Sequence, residues 1–165
     1  MTDPVAATSM LIRRPVAEVF RAIADPTQTT RFWFTDATGA LAPGARVTWT
    51  WAMYGVSTEV EVHDFEPERR ILMTWDNPSD PTEVEWRFKP RGDHTLLSVE
   101  NRGFSGSPDE RTAKALDSTG GFALVLAGAK IWLEHGIEPG FVADRHPDAR
   151  APEWQAAAIS EETRR

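Results

Sequence analysis

The sequence feature that most limits the possible folds is a long predicted helix over residues 108–135. Its start carries a capping box, because Ser107 precedes Pro108 and Glu110 stands three positions after Ser107. Gly136 marks its end, since glycine often closes a helix in the left-handed conformation. The first half of this helix is amphipathic and the second half is nearly apolar on all sides, which is typical of a helix covered on more than one face.

Small residues form one stripe of this helix at about 100° per residue: Ala113, Leu116, Gly120, Ala123, Ala127 and Ile131. We expect this stripe to face the interior. The adjacent Gly120 and Gly121 each cost the helix roughly 1 kcal/mol relative to alanine. They therefore imply close packing, a kink or space for a ligand.

A second apolar face contains Val125, Gly128 and Trp132. Left exposed, it would form an unusual patch for a monomer. We expect either the C-terminal tail, through Phe141 or Trp154, or a second copy of the chain in a homodimer to cover it.

Alternation of apolar and polar residues predicts that most of the remaining chain is β-structure. The predicted strands are 6–13, 46–53, 56–65, 70–76, 82–89 and 94–101, with two short helices after the first strand. Consecutive strands joined by short turns form an antiparallel meander with one apolar face. The long helix is the only large apolar element left to cover that face, which gives an α+β fold.

This order of elements resembles the START-like, or helix-grip, superfamily, which includes the birch-pollen allergen and the polyketide cyclases. Several segments are similar to the Hsp-ninety ATPase activator homologue branch: PVAEVF at 15–20, Asp25-Pro26, Arg31-Phe32-Trp33, Pro43-Gly44, PERRILMTW at 67–75 and Gly121-Phe122. The resemblance covers about residues 5–135. It implies a curved antiparallel sheet wrapped around a long C-terminal helix, with a cavity between them. We therefore divide the chain into a START-like domain, 1–136, and a C-terminal extension, 137–165.

The predicted ligand-binding residues are Trp33, Trp49, Trp51, Trp75, Trp86, Gly120, Gly121 and Phe122. Four of these tryptophans fall on the inner face of the sheet by alternation. A cavity lined with indoles would suit a flat, mostly apolar small molecule. The alternative is that the indoles fill the space which the small residues of the helix leave, as dense packing requires.

No catalytic, metal or cofactor site is predicted. The chain has no cysteine, and its four histidines show no metal-binding spacing. The segment GFSGS at 103–107 lacks the final glycine of a nucleophile elbow. Outer-face glutamates such as Glu83 and Glu85 are expected to be solvated and to form cross-strand ion pairs with arginines.

We favour a binding protein that performs no chemistry unaided, and two alternatives remain open. A polyketide cyclase/dehydratase-like enzyme would need polar groups inside the cavity, for which the candidates are Arg31, Tyr54, Asp76 and Asn101. A co-chaperone-like interaction module, which the resemblance implies, would need a surface for a protein partner.

The expected partners are a hydrophobic small molecule and, as a further option, a second copy bound through the C-terminal helix. A net charge of −7 argues against a nucleic-acid surface. No basic leader followed by an apolar core is visible, and the longest apolar run is too short to span a membrane. We therefore expect a cytoplasmic protein with no membrane partner.

Overall fold

Seven strands form one antiparallel sheet in the order β1-β7-β6-β5-β4-β3-β2. The computed structural model describes residues 2–76 and 78–155. Its elements are β1 (Ala6–Ile12), α1 (Val16–Ala24), α2 (Pro26–Thr29), β2 (Asp36–Ala37), β3 (Arg46–Trp51), β4 (Val56–Glu66), β5 (Arg70–Trp75), β6 (Thr82–Arg91), β7 (His94–Arg102), α3 (Pro108–His135) and α4 (Phe141–Arg145). Short 3-10 helices cover Ala52–Tyr54 and Pro147–Ala149.

The predicted α+β helix-grip fold is confirmed, with α3 as the long C-terminal helix and α1 and α2 after the first strand. The capping box that starts α3 is present, since Ser107 Oγ accepts from Glu110 N and Glu110 Oε2 accepts from Ser107 N. Gly136 closes the helix with φ of 67°. The two-residue strand β2 was not predicted, because so short a segment shows no alternation.

The interior lies between the inner face of the sheet and the helices. Its largest fully buried side chains include Trp49, Trp86, Phe34, Ile71, Met73, Leu97 and Leu126. The predicted inward positions on β5, β6 and β7 are confirmed by the burial of Ile71, Val84 and Leu97. Alternation succeeds here because only one face of each strand has partners to pack against.

The prediction for the inner face of α3 was wrong. The buried residues of α3 are Ala115, Phe122, Val125, Leu126, Gly128 and Ala129. Leu116, in the stripe expected to face inward, is 70% exposed. The helix is rotated so that its large apolar side chains Phe122 and Leu126 are removed from water, which yields more free energy than burying glycine and alanine.

The tail after α3 folds back onto the connection between β3 and β4. The Tyr54 hydroxyl donates to the Val142 carbonyl, and Ala151 N donates to the Met53 carbonyl at 2.7 Å. Val142 packs against the core, whereas Trp154 remains 36% exposed. Residues 156–165 lie outside the described part, and the division at residue 136 stays a prediction.

The second apolar face of α3 is covered within the chain. A Cβ placed on Gly128 would lie 3.2 Å from Phe32 Cβ and 3.5 Å from Pro139 Cγ. Close approach to these two side chains therefore explains the glycine. The cover comes from the segment after α2 and from the start of the tail, rather than from Trp154.

Glu85 on the outer face is buried at 4% exposure, which corrects the expectation that the outer glutamates are solvated. Its carboxylate accepts from Arg70 Nε at 2.7 Å and from Arg87 Nη2 at 2.8 Å, and Arg102 lies 3.7 Å away. Burial alone would raise the pKa of Glu85. The hydrogen bonds from Arg87 and Arg70 outweigh that effect and leave the pKa lowered.

Candidate functional site

A cavity of about 530 Å³ lies between one end of the sheet and α3. Strands β3, β5, β6 and β7 supply one wall, and residues 114–125 of α3 supply the facing wall. The tail closes a third side with Val142, Arg145 and His146. This volume is ordinary for a small-molecule site, which typically encloses about 300–1,000 Å³.

Four aromatic side chains form what we call the aromatic wall: Trp33, Trp51, Trp75 and Phe122. The ring centroids of Trp33 and Trp75 are 5.8 Å apart, and those of Trp75 and Phe122 are 5.4 Å apart. Such tilted and edge-to-face contacts stabilise the arrangement of the rings. The wall is therefore an apolar surface whose rings support one another.

Of the predicted ligand-binding residues, the structure brings five to the cavity: Trp33, Trp51, Trp75, Gly121 and Phe122. Trp49, at 1% exposure, stacks on Phe34 at 4.6 Å and belongs to the core. Trp86, at 0%, packs against Trp33 and Phe122 behind the cavity. Gly120 lies on the exposed side of α3. Some indoles thus fill the interior and others line an open space, while ligand binding by any of them stays a prediction.

A chain of polar side chains runs along one end of the cavity. Ser118 Oγ donates to Asn101 Oδ1 at 2.8 Å, and Asn101 Nδ2 donates to Thr82 Oγ1 at 2.9 Å. Thr82 Oγ1 in turn donates to Asp76 Oδ2 at 2.7 Å. Because each buried polar group has a partner, these residues can keep fixed positions beside an apolar surface. We call them the polar chain.

Asp76 ends the polar chain in an unusual backbone conformation, with φ of 79°. Its backbone is held by Thr58, whose Oγ1 accepts from Asp76 N at 2.9 Å and donates to Asp76 O at 3.2 Å. Loss of hydration raises the pKa of Asp76; the Thr82 hydrogen bond opposes this shift and the negative charge of Asp80 adds to it. A carboxyl group with a raised pKa in a concave site is a feature of functional sites.

Charged side chains surround the mouth of the cavity. Lys114 Nζ donates to the Ser105 carbonyl at 2.9 Å, and Arg145 donates to the Asp117 carboxylate at 3.1 Å. Arg145 also explains the adjacent glycines: an added Cβ at Gly121 would lie 2.6 Å from Arg145 Nη1, and one at Gly120 would lie 3.1 Å from Nη2. The space beside both glycines is thus occupied by the end of the Arg145 side chain.

Three of the four polar candidates from the sequence line the cavity: Tyr54, Asp76 and Asn101. Arg31 does not, since it pairs with Glu138 at 3.6 Å and lies over the Trp132 ring. Thr82 and Ser118 were not predicted. Thr82 lies two residues before Val84 on the same strand and therefore also faces inward. A polar residue at an inward position was the signal that could have identified Thr82.

Neither a metal site nor a membrane-spanning helix is visible in the described residues. Within 2–76 and 78–155, no group of three or more His, Asp or Glu side chains could hold a metal ion. In the same ranges, no helix is long and apolar enough to cross a membrane.

Solved structures with the same fold support this architecture. Protein SSP2350 from Staphylococcus saprophyticus has a TM-score of 0.70 and 22% identity, over 81% of this chain and 94% of that one. DynU16, a protein in the dynemicin biosynthetic locus, has a TM-score of 0.68 and 19% identity over 83% of this chain. The alignment covers 49% of DynU16.

A dimer of Aha1 from Colwellia psychrerythraea has a TM-score of 0.68 and 16% identity, over 82% of this chain and 98% of that one. No curated protein matches the chain. The family model described as activator of Hsp90 ATPase homolog 1-like protein matches residues 13–128. That match covers more than half of the chain, which therefore belongs to the family of activator of Hsp90 ATPase homolog 1-like proteins.

Proposed function

We propose that the protein binds a flat, mostly apolar small molecule in the cavity between the sheet and α3, and that it performs no chemistry unaided. The observation that carries this proposal is the aromatic wall, which borders about 530 Å³ of open space and in which Trp51 and Trp75 are only partly buried. Exposed indole faces gain free energy when an apolar ligand replaces water. DynU16, a structural neighbour, is a protein in the dynemicin biosynthetic locus, which supports a small-molecule role.

The two ends of the cavity differ, and this difference limits the orientation of a ligand. The aromatic wall offers flat apolar contacts, whereas the polar chain offers fixed polar atoms at Asp76 and Ser118. A few placed polar groups in a mostly apolar pocket usually fix the orientation of the ligand. The expected ligand therefore has a flat apolar body and one polar group.

The test uses the neutral dye N-phenyl-1-naphthylamine, whose emission rises in an apolar environment. The full-length protein should enhance this emission in a saturable manner, and dye binding should raise the melting temperature by linkage. Gly121→Leu should abolish both effects, because Gly121 and Arg145 both line the cavity and a leucine at position 121 would fill it directly or by displacing Arg145.

Gly120→Leu is the matched control. It makes the same substitution one position earlier and also disturbs Arg145, but Gly120 does not line the cavity. Dye binding should survive in this variant. If wild-type protein gives no saturable enhancement, or if both leucine variants bind the dye equally well, the proposal fails.

Catalysis on the bound molecule, of the polyketide cyclase/dehydratase-like kind, is a second candidate function. The specific observation in its favour is Asp76, a carboxyl group with a raised pKa at the cavity. A carboxyl group in this position can act as a general acid or base toward a bound ligand. Mass spectrometry of ligands incubated with the protein should then show a mass or isotope change that Asp76→Asn abolishes.

We propose a cytoplasmic location for the protein.

A homodimer through α3 is the proposed assembly. Aha1 from Colwellia psychrerythraea, a structural neighbour, was solved as a dimer. Ala113, Leu116 and Gly120 form an exposed stripe of α3, in which Leu116 is 70% exposed. The same exposed stripe would serve the co-chaperone alternative. Light scattering should give twice the chain mass for wild type and one chain mass for Leu116→Glu; a monomeric wild type would overturn the assembly.

A further inference from the structure

All hydrogen-bond donors of the polar chain's side chains are used within the protein. The two protons of the Asn101 amide go to Thr82 Oγ1 at 2.9 Å and to the Glu83 carbonyl at 3.0 Å. Because a carbonyl can only accept, the Glu83 contact fixes the orientation of the amide. The hydroxyl protons of Ser118 and Thr82 are used on Asn101 and Asp76. The polar chain itself therefore offers acceptors to a ligand.

Asp76 is the strongest of these acceptors, and none of the ion pairs among the described residues includes it. Its carboxylate accepts a hydrogen bond from the neutral hydroxyl of Thr82. Lys114 acts on it electrostatically, but the Lys114 ammonium donates to the Ser105 carbonyl. Arg145 is engaged by Asp117. Glu85 shows the contrast, since its buried carboxylate has Arg70 and Arg87 as direct partners.

The aromatic wall stands beside this carboxylate, because Trp75 directly precedes Asp76 and both line the cavity. Faces of tryptophan and phenylalanine rings attract cations through the ring quadrupole. The indole nitrogen of Trp75 is buried and without a partner among the described residues, so it is not available to a ligand acceptor. Aromatic faces next to an unpaired carboxylate are the surroundings that recognise an organic ammonium.

We infer that the cavity is built for an amine in its protonated form, with the ammonium on Asp76 and the apolar body against Trp33, Trp75 and Phe122. This inference rests on the proposed binding function and names its ligand class. An ammonium brings donors and positive charge to a place that offers acceptors and negative charge. Beside Asp76, a carboxylate ligand would add a second negative charge and leave acceptors facing acceptors, which selects against acids at this position, although Lys114 and Arg145 lie at the mouth of the cavity.

The test compares three ligands with one naphthalene body: 2-naphthylmethylamine, 2-naphthylmethanol and 2-naphthoate. Each competes with N-phenyl-1-naphthylamine for the full-length protein at neutral pH. The amine should displace the dye at a concentration about 10- to 100-fold lower than the alcohol, as expected for a hydrogen bond to a charged group. The acid should be the weakest competitor.

Asp76→Asn should remove the advantage of the amine over the alcohol. Asparagine tolerates positive φ and can still accept from Thr82, so this variant should keep its fold. Asp93→Asn, in the β6–β7 turn outside the cavity lining, makes the same chemical change and should leave the ranking intact.

The outcomes separate the two proposals. If the dye binds but the acid competes as well as the amine, or the advantage of the amine survives Asp76→Asn, the ligand class is overturned and the binding function stands. If wild-type protein does not bind the dye, the binding function fails and the ligand class fails with it.

Discussion

Arg145 occupies the space that a side chain at Gly121 would need. An added Cβ at Gly121 would lie 2.6 Å from Arg145 Nη1, while the Nη2 of the same guanidinium donates to the Asp117 carbonyl and carboxylate at 3.1 Å. The tail is thus attached to α3 at the point where the helix carries its two costly glycines. This contact places Val142 and His146 at the cavity.

Alanine substitutions of the two glycines should therefore differ in their effects on stability. Each removes a helix penalty of roughly 1 kcal/mol. Gly120→Ala should realise most of this gain, because Arg145 Nη2 at 3.1 Å needs only a small shift. Gly121→Ala should gain less, since Arg145 must leave Asp117. Denaturant melts of both variants measure the difference.

The control is the same pair of substitutions in an Arg145→Ala background, where both alanines should stabilise the protein equally. Equal gains in the wild-type background would show that Arg145 does not constrain position 121.

Alanine substitutions of tryptophans at the core and at the cavity should lower the free energy of unfolding by different amounts. Trp86→Ala should cost about 3–5 kcal/mol of unfolding free energy, the usual value for an aromatic truncation in a core. Trp75→Ala should cost at least about 1 kcal/mol less, because one side of Trp75 already faces open space and loses fewer contacts. Equal losses would mean that the cavity is closed around Trp75.

The elements of this fold were predictable because their signals are local. Ser107, Glu110 and Gly136 mark the ends of α3 within one turn of chain. Alternation assigned Trp49, Trp75 and Trp86 to the inner face correctly. Which of them fills the core and which lines a cavity depends on the side chains that the tertiary structure packs around each of them.

The prediction for the helix face failed for a related reason. Glycine and alanine suggested a ligand-facing stripe, yet burial follows the larger Phe122 and Leu126 and leaves Leu116 exposed. The role of Gly121 required Arg145, a residue 24 positions later in the sequence. Similarly, alternation predicts that Glu85 points outward. Its carboxylate is buried because Arg70 and Arg87 pack against it.

Glu85 should make stability depend on pH on the acid side. Its pKa is lowered in the folded protein, so the unfolded chain takes up the proton first as the pH falls. The stabilisation is present above the ordinary pKa of glutamate, about 4.3, and is lost as the pH falls through the lowered value. The free energy difference between wild type and Glu85→Gln should therefore favour wild type by about 1–3 kcal/mol at pH 7.

That difference should shrink on acidification. Denaturant melts of wild type and Glu85→Gln at several pH values between neutrality and the onset of acid unfolding measure it. A difference that does not change with pH would show that Glu85 is not held as a carboxylate by its arginines.

Asp76 should make stability depend on pH in the opposite direction. Burial raises its pKa, so the folded state binds the proton more readily than the unfolded chain and gains stability as the pH falls through the raised pKa. Asp76→Asn should therefore stabilise the ligand-free protein at neutral pH, and this gain should vanish in acid. Thermal melts of both proteins test it, and a destabilised Asp76→Asn at pH 7 would contradict it.

The most direct measurement is a crystal structure of the full-length protein grown with N-phenyl-1-naphthylamine. The account predicts density for the naphthalene ring between α3 and the sheet, in contact with Trp33, Trp75 and Phe122. An interior filled by these side chains, with the dye absent or bound only on the outer surface, would contradict it.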